Sequence, residues 1–224
     1  GRRSRVQVEQ SRRSIAKGLN CHPSQLIFTS GGTEADNLAL NAAVIDLGCK
    51  RIITSEAEHS AVIKTAERWN ERTGVELAVV RHLADGQVDL AHLEELLANG
   101  PKTIVSLMHA NNEVGVMIDL ERVGTLCKAH GALFHSDTVQ TMCHYHFNLQ
   151  ALPVDFITCA GHKFHGPKGV GFLYVAPGLK ITSVIAGGGQ ERSMRGGTEN
   201  VHSIVGLGVS VALGFTPLGE RQDS

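Results

Sequence analysis

Val154-Asp-Phe-Ile-Thr-Cys-Ala-Gly-His-Lys-Phe-His-Gly-Pro-Lys-Gly-Val-Gly-Phe-Leu-Tyr-Val175 decides the reading of this chain. Two apolar runs, residues 154–159 and 170–175, have the composition of buried strands. Between them a polar, glycine-rich turn presents Lys163 beside His162. An amine fixed just past a buried strand suits a Schiff base with an aldehyde cofactor. The same side chain also reads as an ordinary solvated loop lysine. The stretch alone leaves both readings open.

Working outward, further strand-like runs lie at 26–29, 51–54, 75–81, 103–109 and 132–135, with another near 181–185. Helical patterns fill the gaps, at 5–19, from the 30–37 turn to about 47, at 59–74, 89–98 and 119–130, and from Val201. Strands alternating with helices at this spacing predict an α/β fold, a mostly parallel sheet with helices on both faces. In such a sheet, functional groups gather beyond the carboxyl ends of the strands. The loops after successive strands here carry Gly32 and Thr33, His59, Asn112, Asp137 and Gln140, then His162 and Lys163.

Each group has a chemical reading and a plain one. Ser30-Gly-Gly-Thr33 joins a strand to a helix, so backbone N–H groups and the helix dipole favour an anion such as phosphate. Thr33 also reads as a simple cap, and an inward-pointing Glu34 would oppose an anion. Asp137 ends an apolar strand, where a carboxylate needs a partner; a pyridinium nitrogen would serve, and so would a local turn. Gln140 and Asn112 suit hydrogen bonds to a phenolic oxygen or to their own loops. His59 reads as a ring to stack on a flat cofactor or as a first-turn histidine. The loop 187–200 is rich in glycine and holds Arg192 and Arg195, which suit an anion or a second subunit.

Other classes fit less well. The turn 161–169 resembles a nucleotide phosphate loop but has an inserted Pro167 and no following Ser or Thr. His144, His146, His162 and His165 form close sets without a third and fourth ligand, so no metal is expected. The net charge of −1 gives no nucleic-acid or acidic-membrane footprint. Five cysteines without paired spacing favour a reducing compartment, and no apolar run is long enough to span a bilayer. The expected location is the cytosol. The start at Gly1 without methionine and the polar run 215–224 lead to the expectation of a fragment or shortened variant.

Together the motifs resemble the pyridoxal-phosphate-dependent cysteine desulfurase and selenocysteine lyase family, of the aminotransferase class V type. The marks are Ser-Gly-Gly-Thr-Glu-Ala (30–35), Glu58-His59, His-Ala-Asn-Asn-Glu-Val-Gly (109–115), Asp-Thr-Val-Gln (137–140), Gly-His-Lys-Phe-His-Gly-Pro-Lys-Gly (161–169) and the run 187–200. They are collinear over roughly residues 1–208. His146-Phe-x-Leu149 and residues 164–169 look more like the selenocysteine lyase branch.

The resemblance implies roles. Lys163 would hold pyridoxal 5'-phosphate as a Schiff base and shuttle a proton, and Asp137 would pair with the pyridine nitrogen. Gln140 and Asn112 would lie at the phenolic oxygen. His59 would stack on the ring and act as acid or base. Gly32, Thr33 and His162 would hold the phosphate, and Thr198 would reach the phosphate of the other subunit of a homodimer. Ala160 stands where the family often has serine. The implied reaction takes selenium from L-selenocysteine, leaves L-alanine, and hands selenium to a reductant or acceptor protein. The alternatives are a cysteine desulfurase supplying sulfur, or a non-catalytic variant acting through dimerisation. The family's nucleophilic cysteine and its substrate-binding arginine lie in a later domain, and none of the five cysteines matches the former. The expectation is therefore a cofactor-binding large domain at 1–208, with 209–224 a divergent tail, and little activity of its own.

Overall fold

Short runs of β-branched and aromatic residues become strands because both of their faces find apolar cover. The computed structural model describes residues 1–215. Seven strands form one sheet: β1 (Leu26–Thr29), β2 (Arg51–Ser55), β3 (Glu76–Val80), β4 (Thr103–Ser106), β5 (Leu133–Asp137), β6 (Phe156–Ala160) and β7 (Gly171–Val175). Their order is β1-β7-β6-β5-β4-β2-β3. Only β7 runs against the others, antiparallel to both β6 and β1. The remaining pairs are parallel. The mostly parallel sheet expected from the sequence is the one observed.

Side chains alternate across the sheet. Ile27, Ile52, Ile104, Phe156 and Leu173 enter one core with α2 (Gly32–Ile45) and α3 (Ser60–Thr73). Leu26, Phe28, Ile53, Val105, Phe134, Ile157 and Phe172 enter the other. That second face is covered by α1 (Arg2–Gly18), α4 (Leu90–Leu97), α5 (Leu120–Ala129) and α6 (Val201–Gly214). Helix starts follow side-chain caps: Asp89 accepts from His92 N–H, and Asp119 from Arg122 N–H, both at 3.0 Å. Gly74 closes α3 in the left-handed region, at φ 72°.

Residues 181–185 form no strand, contrary to the sequence expectation. Both edges of the nearby β7 are already taken, by β1 and β6. The segment is instead held by side chains: Asp46 accepts from the Thr182 N–H and hydroxyl at 2.8 and 2.7 Å. Val184 and Ile185 are left exposed. No helix among the described residues is long and apolar enough to cross a membrane.

Candidate active site

The parallel strands β5 and β6 end side by side, and their carboxyl ends set the floor of a cavity of about 220 Å3. β5 delivers Asp137, which is 5% exposed. The Val139 N–H donates to Asp137 Oδ1 at 2.8 Å and fixes the carboxyl. The chain then turns because the Thr138 N–H and hydroxyl both donate to the Thr158 carbonyl, at 3.1 and 2.8 Å. This turn sets Gln140 at the rim. Burial pushes the Asp137 carboxyl up, opposed by the Val139 N–H and by the positive charge of His59 and Lys163.

β6 leads into a single 3-10 turn, Gly161–Phe164. Phe164 is buried in the core beside α6, while His162 and Lys163, within the same turn, stay exposed. The turn is closed by Gly166 N–H donating to the Gly161 carbonyl at 2.9 Å, and by His165 in the left-handed region. The pattern of one apolar anchor beside two polar residues is what aims the Lys163 amine into the cavity mouth. No hydrogen bond or ion pair ties that amine to another described residue.

The third wall is the start of α2. Gly31 precedes it with no side-chain cap, so Gly32 and Thr33 bring uncapped N–H groups to the cavity. Glu34 turns away. Arg195 donates to both of its oxygens at 2.8 and 3.1 Å, and the Ser30 N–H donates at 2.9 Å. Burial alone would raise the Glu34 carboxyl, but the Arg195 bonds outweigh it and hold the acid ionised. The anion site thus keeps its positive character.

His59 caps α3, its Nδ1 accepting from the Ala61 N–H at 3.2 Å. Asn112 is held over the cavity by its neighbour. Asn111 Oδ1 accepts from the Glu113 and Val114 N–H groups at 2.7 and 2.8 Å, and Asn111 Nδ2 donates to the Ala57 carbonyl at 2.6 Å.

Eight of the nine residues singled out in the sequence, all but Thr198, line this one cavity. Thr198 lines a neighbouring pocket with Ser30, Glu191 and Arg195. Sequence reading missed Asp36, Met108 and Val139, which also line the cavity. Asp36 had a signal: an acid on the apolar side of an alanine- and leucine-rich helix, one turn past Thr33. Glu58 was noted only as His59's neighbour; it is fully buried, its pKa driven well up by that burial, and it accepts from the Met108 N–H.

The lining fits an aldehyde–phosphate cofactor. A free amine, an uncapped helix start and a buried carboxylate with one oxygen left for a cation are the three groups it needs. None of the five cysteines lines the cavity.

The comparisons agree with this geometry. The family model described as aminotransferase class-V matches residues 1–216. A cysteine desulfurase IscS of Dictyoglomus turgidum is 40% identical over 223 residues, covering 99% of this chain and 56% of that protein. The IscS of Mannheimia succiniciproducens is 43% identical over 206 residues, covering 90% and 50%. A solved NifS-like protein superposes with a TM-score of 0.90 at 37% identity, covering all of this chain and 61% of its own. SspA in complex with cysteine superposes at 0.87 and 34%, covering 94% and 61%. Fold and cavity define an α/β domain with a lysine- and aspartate-lined site at the carboxyl edge of its sheet. The chain belongs to the aminotransferase class-V family, among relatives of the IscS type, and that family is pyridoxal-phosphate-dependent. The chain spans about half the length of the curated relatives it matches.

Proposed function

We propose that this chain is the cofactor-binding part of a pyridoxal-phosphate enzyme that removes sulfur from L-cysteine and leaves L-alanine. The observation that carries the reading is the single cavity shared by Lys163, Asp137, Gln140, His59, Asn112, His162, Gly32 and Thr33. When bound, the cofactor supplies an electron sink for the carbanion at the substrate α-carbon. The protein's own groups do the rest. Lys163 would hold the cofactor's aldehyde carbon and would move the substrate's α-proton at its Nζ. Asp137 would hold a proton on the ring nitrogen by charge. His59 would face the ring, and Gln140 and Asn112 would donate to the phenolic oxygen. Gly32, Thr33 and His162 would hold the phosphate. Thr198, outside this cavity, serves the phosphate of a second copy in a homodimer. Residues 1–208 are the large domain in this reading; of the expected tail, 209–214 continue α6 and 216–224 lie outside the described residues.

Sulfur must be taken by a thiolate that attacks it as the carbon–sulfur bond breaks. Cys127 and Cys159 are buried, and burial pushes the Cys127 thiol up to about 12 and Cys159 well above its usual value. Burial does the same to Cys21, also to about 12. None is a ready nucleophile. None of the five cysteines lines the cavity, so the accepting thiol is expected from another segment or chain, and these residues alone are expected to bind cofactor with little turnover. Selenocysteine is a second reading, favoured by the His146-Phe-x-Leu149 and 164–169 sequence details, with a selenium acceptor in place of a sulfur acceptor. The test is the visible spectrum of the purified chain with added pyridoxal phosphate. A band that appears in the wild type and is absent from Lys163→Ala supports the reading; no band in the wild type refutes it.

A further inference from the structure

α2 places in the cavity a carboxyl that the proposed chemistry does not use. Asp36 lines the same cavity as Asp137 and is 1% exposed. Neither Asp36 oxygen makes a hydrogen bond of ordinary geometry among the described residues. Its polar neighbours are His135 Nε2, 3.5 Å from Oδ1, and Thr158. His135 is fully buried, with Nδ1 2.8 Å from Ser106 Oγ and Nε2 3.0 Å from Thr158 Oγ1. Burial drives its pKa down to about 3, so it brings Asp36 no positive charge.

Asp137 is differently placed. It receives the Val139 N–H and faces the cationic side of the cavity, His59 and Lys163. The other titratable groups around α2 do not change the contrast. Glu58 is a buried acid and adds like charge if ionised. Glu34 on α2 itself is committed to Arg195. β1 has no titratable side chain, and β7 has only Tyr174, which is bonded to Gln25 and the Leu149 carbonyl.

Two ionised carboxyls buried in the wall of one cavity repel, and the proton stays where donors are fewest. We propose that Asp36 and Asp137 form a buried pair holding one proton, kept on Asp36, and that Asp36 is a positioning residue leaving Asp137 as the single anion for the ring nitrogen. Burial is the main force raising Asp36, followed by the charge of Asp137, with Thr158 opposing weakly. The ring's identity rests on the reading given above; the proton pair belongs to the protein without cofactor.

The test labels aspartate carboxyl carbons with 13C and follows them by NMR in the cofactor-free protein from pH 5 to 9. Signals are assigned by their loss in Asp36→Asn and Asp137→Asn, with Asp36→Glu as the assigning variant if Asp36→Asn does not fold. The expected result at pH 7 is Asp36 at its neutral position and Asp137 at its ionised position. Asp36 at the ionised position, or Asp137 at the neutral one, overturns the proposal. In the cofactor-loaded protein, Asp36→Asn exchanges one neutral group for another, so the pH midpoint of the visible band stays in place. A fall of about one pH unit would mean that an anion had been removed, and would also overturn it. A wild type with no visible band refutes the cofactor reading and leaves the NMR result standing.

Discussion

Asp137 and Glu191 are both buried carboxylates, and they differ in what neutralises them. Asp137 has one backbone donor and an unfilled side facing the cavity. A charge-assisted bond to a ring nitrogen is worth about 1.5–3 kcal/mol. Asp137→Asn is therefore expected to weaken pyridoxal-phosphate binding roughly 10- to 150-fold, read by fluorescence titration. Glu191 is fully satisfied. Arg12 Nη1 and Nη2 donate to its two oxygens at 2.8 and 2.7 Å, and the Phe28 N–H adds a third bond at 2.9 Å. The Arg12 guanidinium also lies 4.5 Å over the Phe28 ring. Glu191→Ala would leave Arg12, which is 1% exposed, only the Leu26 carbonyl and the half-exposed Glu9 as partners, at a cost of about 3 kcal/mol in urea unfolding. Sequence showed Asp137 because a lone acid ends an apolar strand. It did not show the Arg12–Glu191 pair, whose members stand 179 positions apart, one of them in a helix face that looks solvated.

Elements were legible where one local rule dominated. The caps Asp89 and Asp119, the stop at Gly74 and the apolar strand cores set boundaries that the structure keeps within a few residues. The 181–185 run misled because apolar composition marks a strand only if a sheet edge is free to receive it. The same dependence on neighbours governs α5. Gly124 sits in its interior, where alanine would ordinarily gain about 1 kcal/mol. Here a Cβ would come within 2.2 Å of the Pro153 carbonyl oxygen and 2.8 Å of the Pro153 ring. The expected sign is therefore reversed. Gly124→Ala destabilises the protein by about 1–3 kcal/mol, seen as a lower melting temperature.

At the scale of the molecule, the site is assembled from four strand ends and a helix start. Most of its members could be read in the sequence because each interrupts an apolar run. Asp36 could not be placed, because its neighbours His135 and Thr158 come from two other strands. This buried polar layer sets the pH response. Burial holds His135 at about 3 and His109 at about 4, against 6.5 when unfolded. The unfolded chain thus binds more protons below pH 6.5, and the stability that these neutral rings contribute is lost as pH falls from about 6.5 toward 4. Buried Asp36 and Glu58, raised by burial, act in the opposite sense and favour the fold most at low pH. The two histidines contribute a downward slope worth about 4 kcal/mol between pH 7 and 5, and the raised acids offset it; urea titration at each pH measures the balance. His109→Gln, which can keep a bond to Thr141, is expected to flatten part of that slope.

The single reversed strand has a consequence for synthesis. β1 touches the sheet only through β7, with Leu26 paired to Tyr174. On a ribosome, the segment bearing Gly32 and Thr33 leaves the exit tunnel early but has no strand to join until β7 has followed. At about 5–20 residues per second that interval is roughly 7–30 s. During it the apolar faces of β1 and α2 lack their final cover, so the nascent chain is the stage at which this protein is most in need of a chaperone.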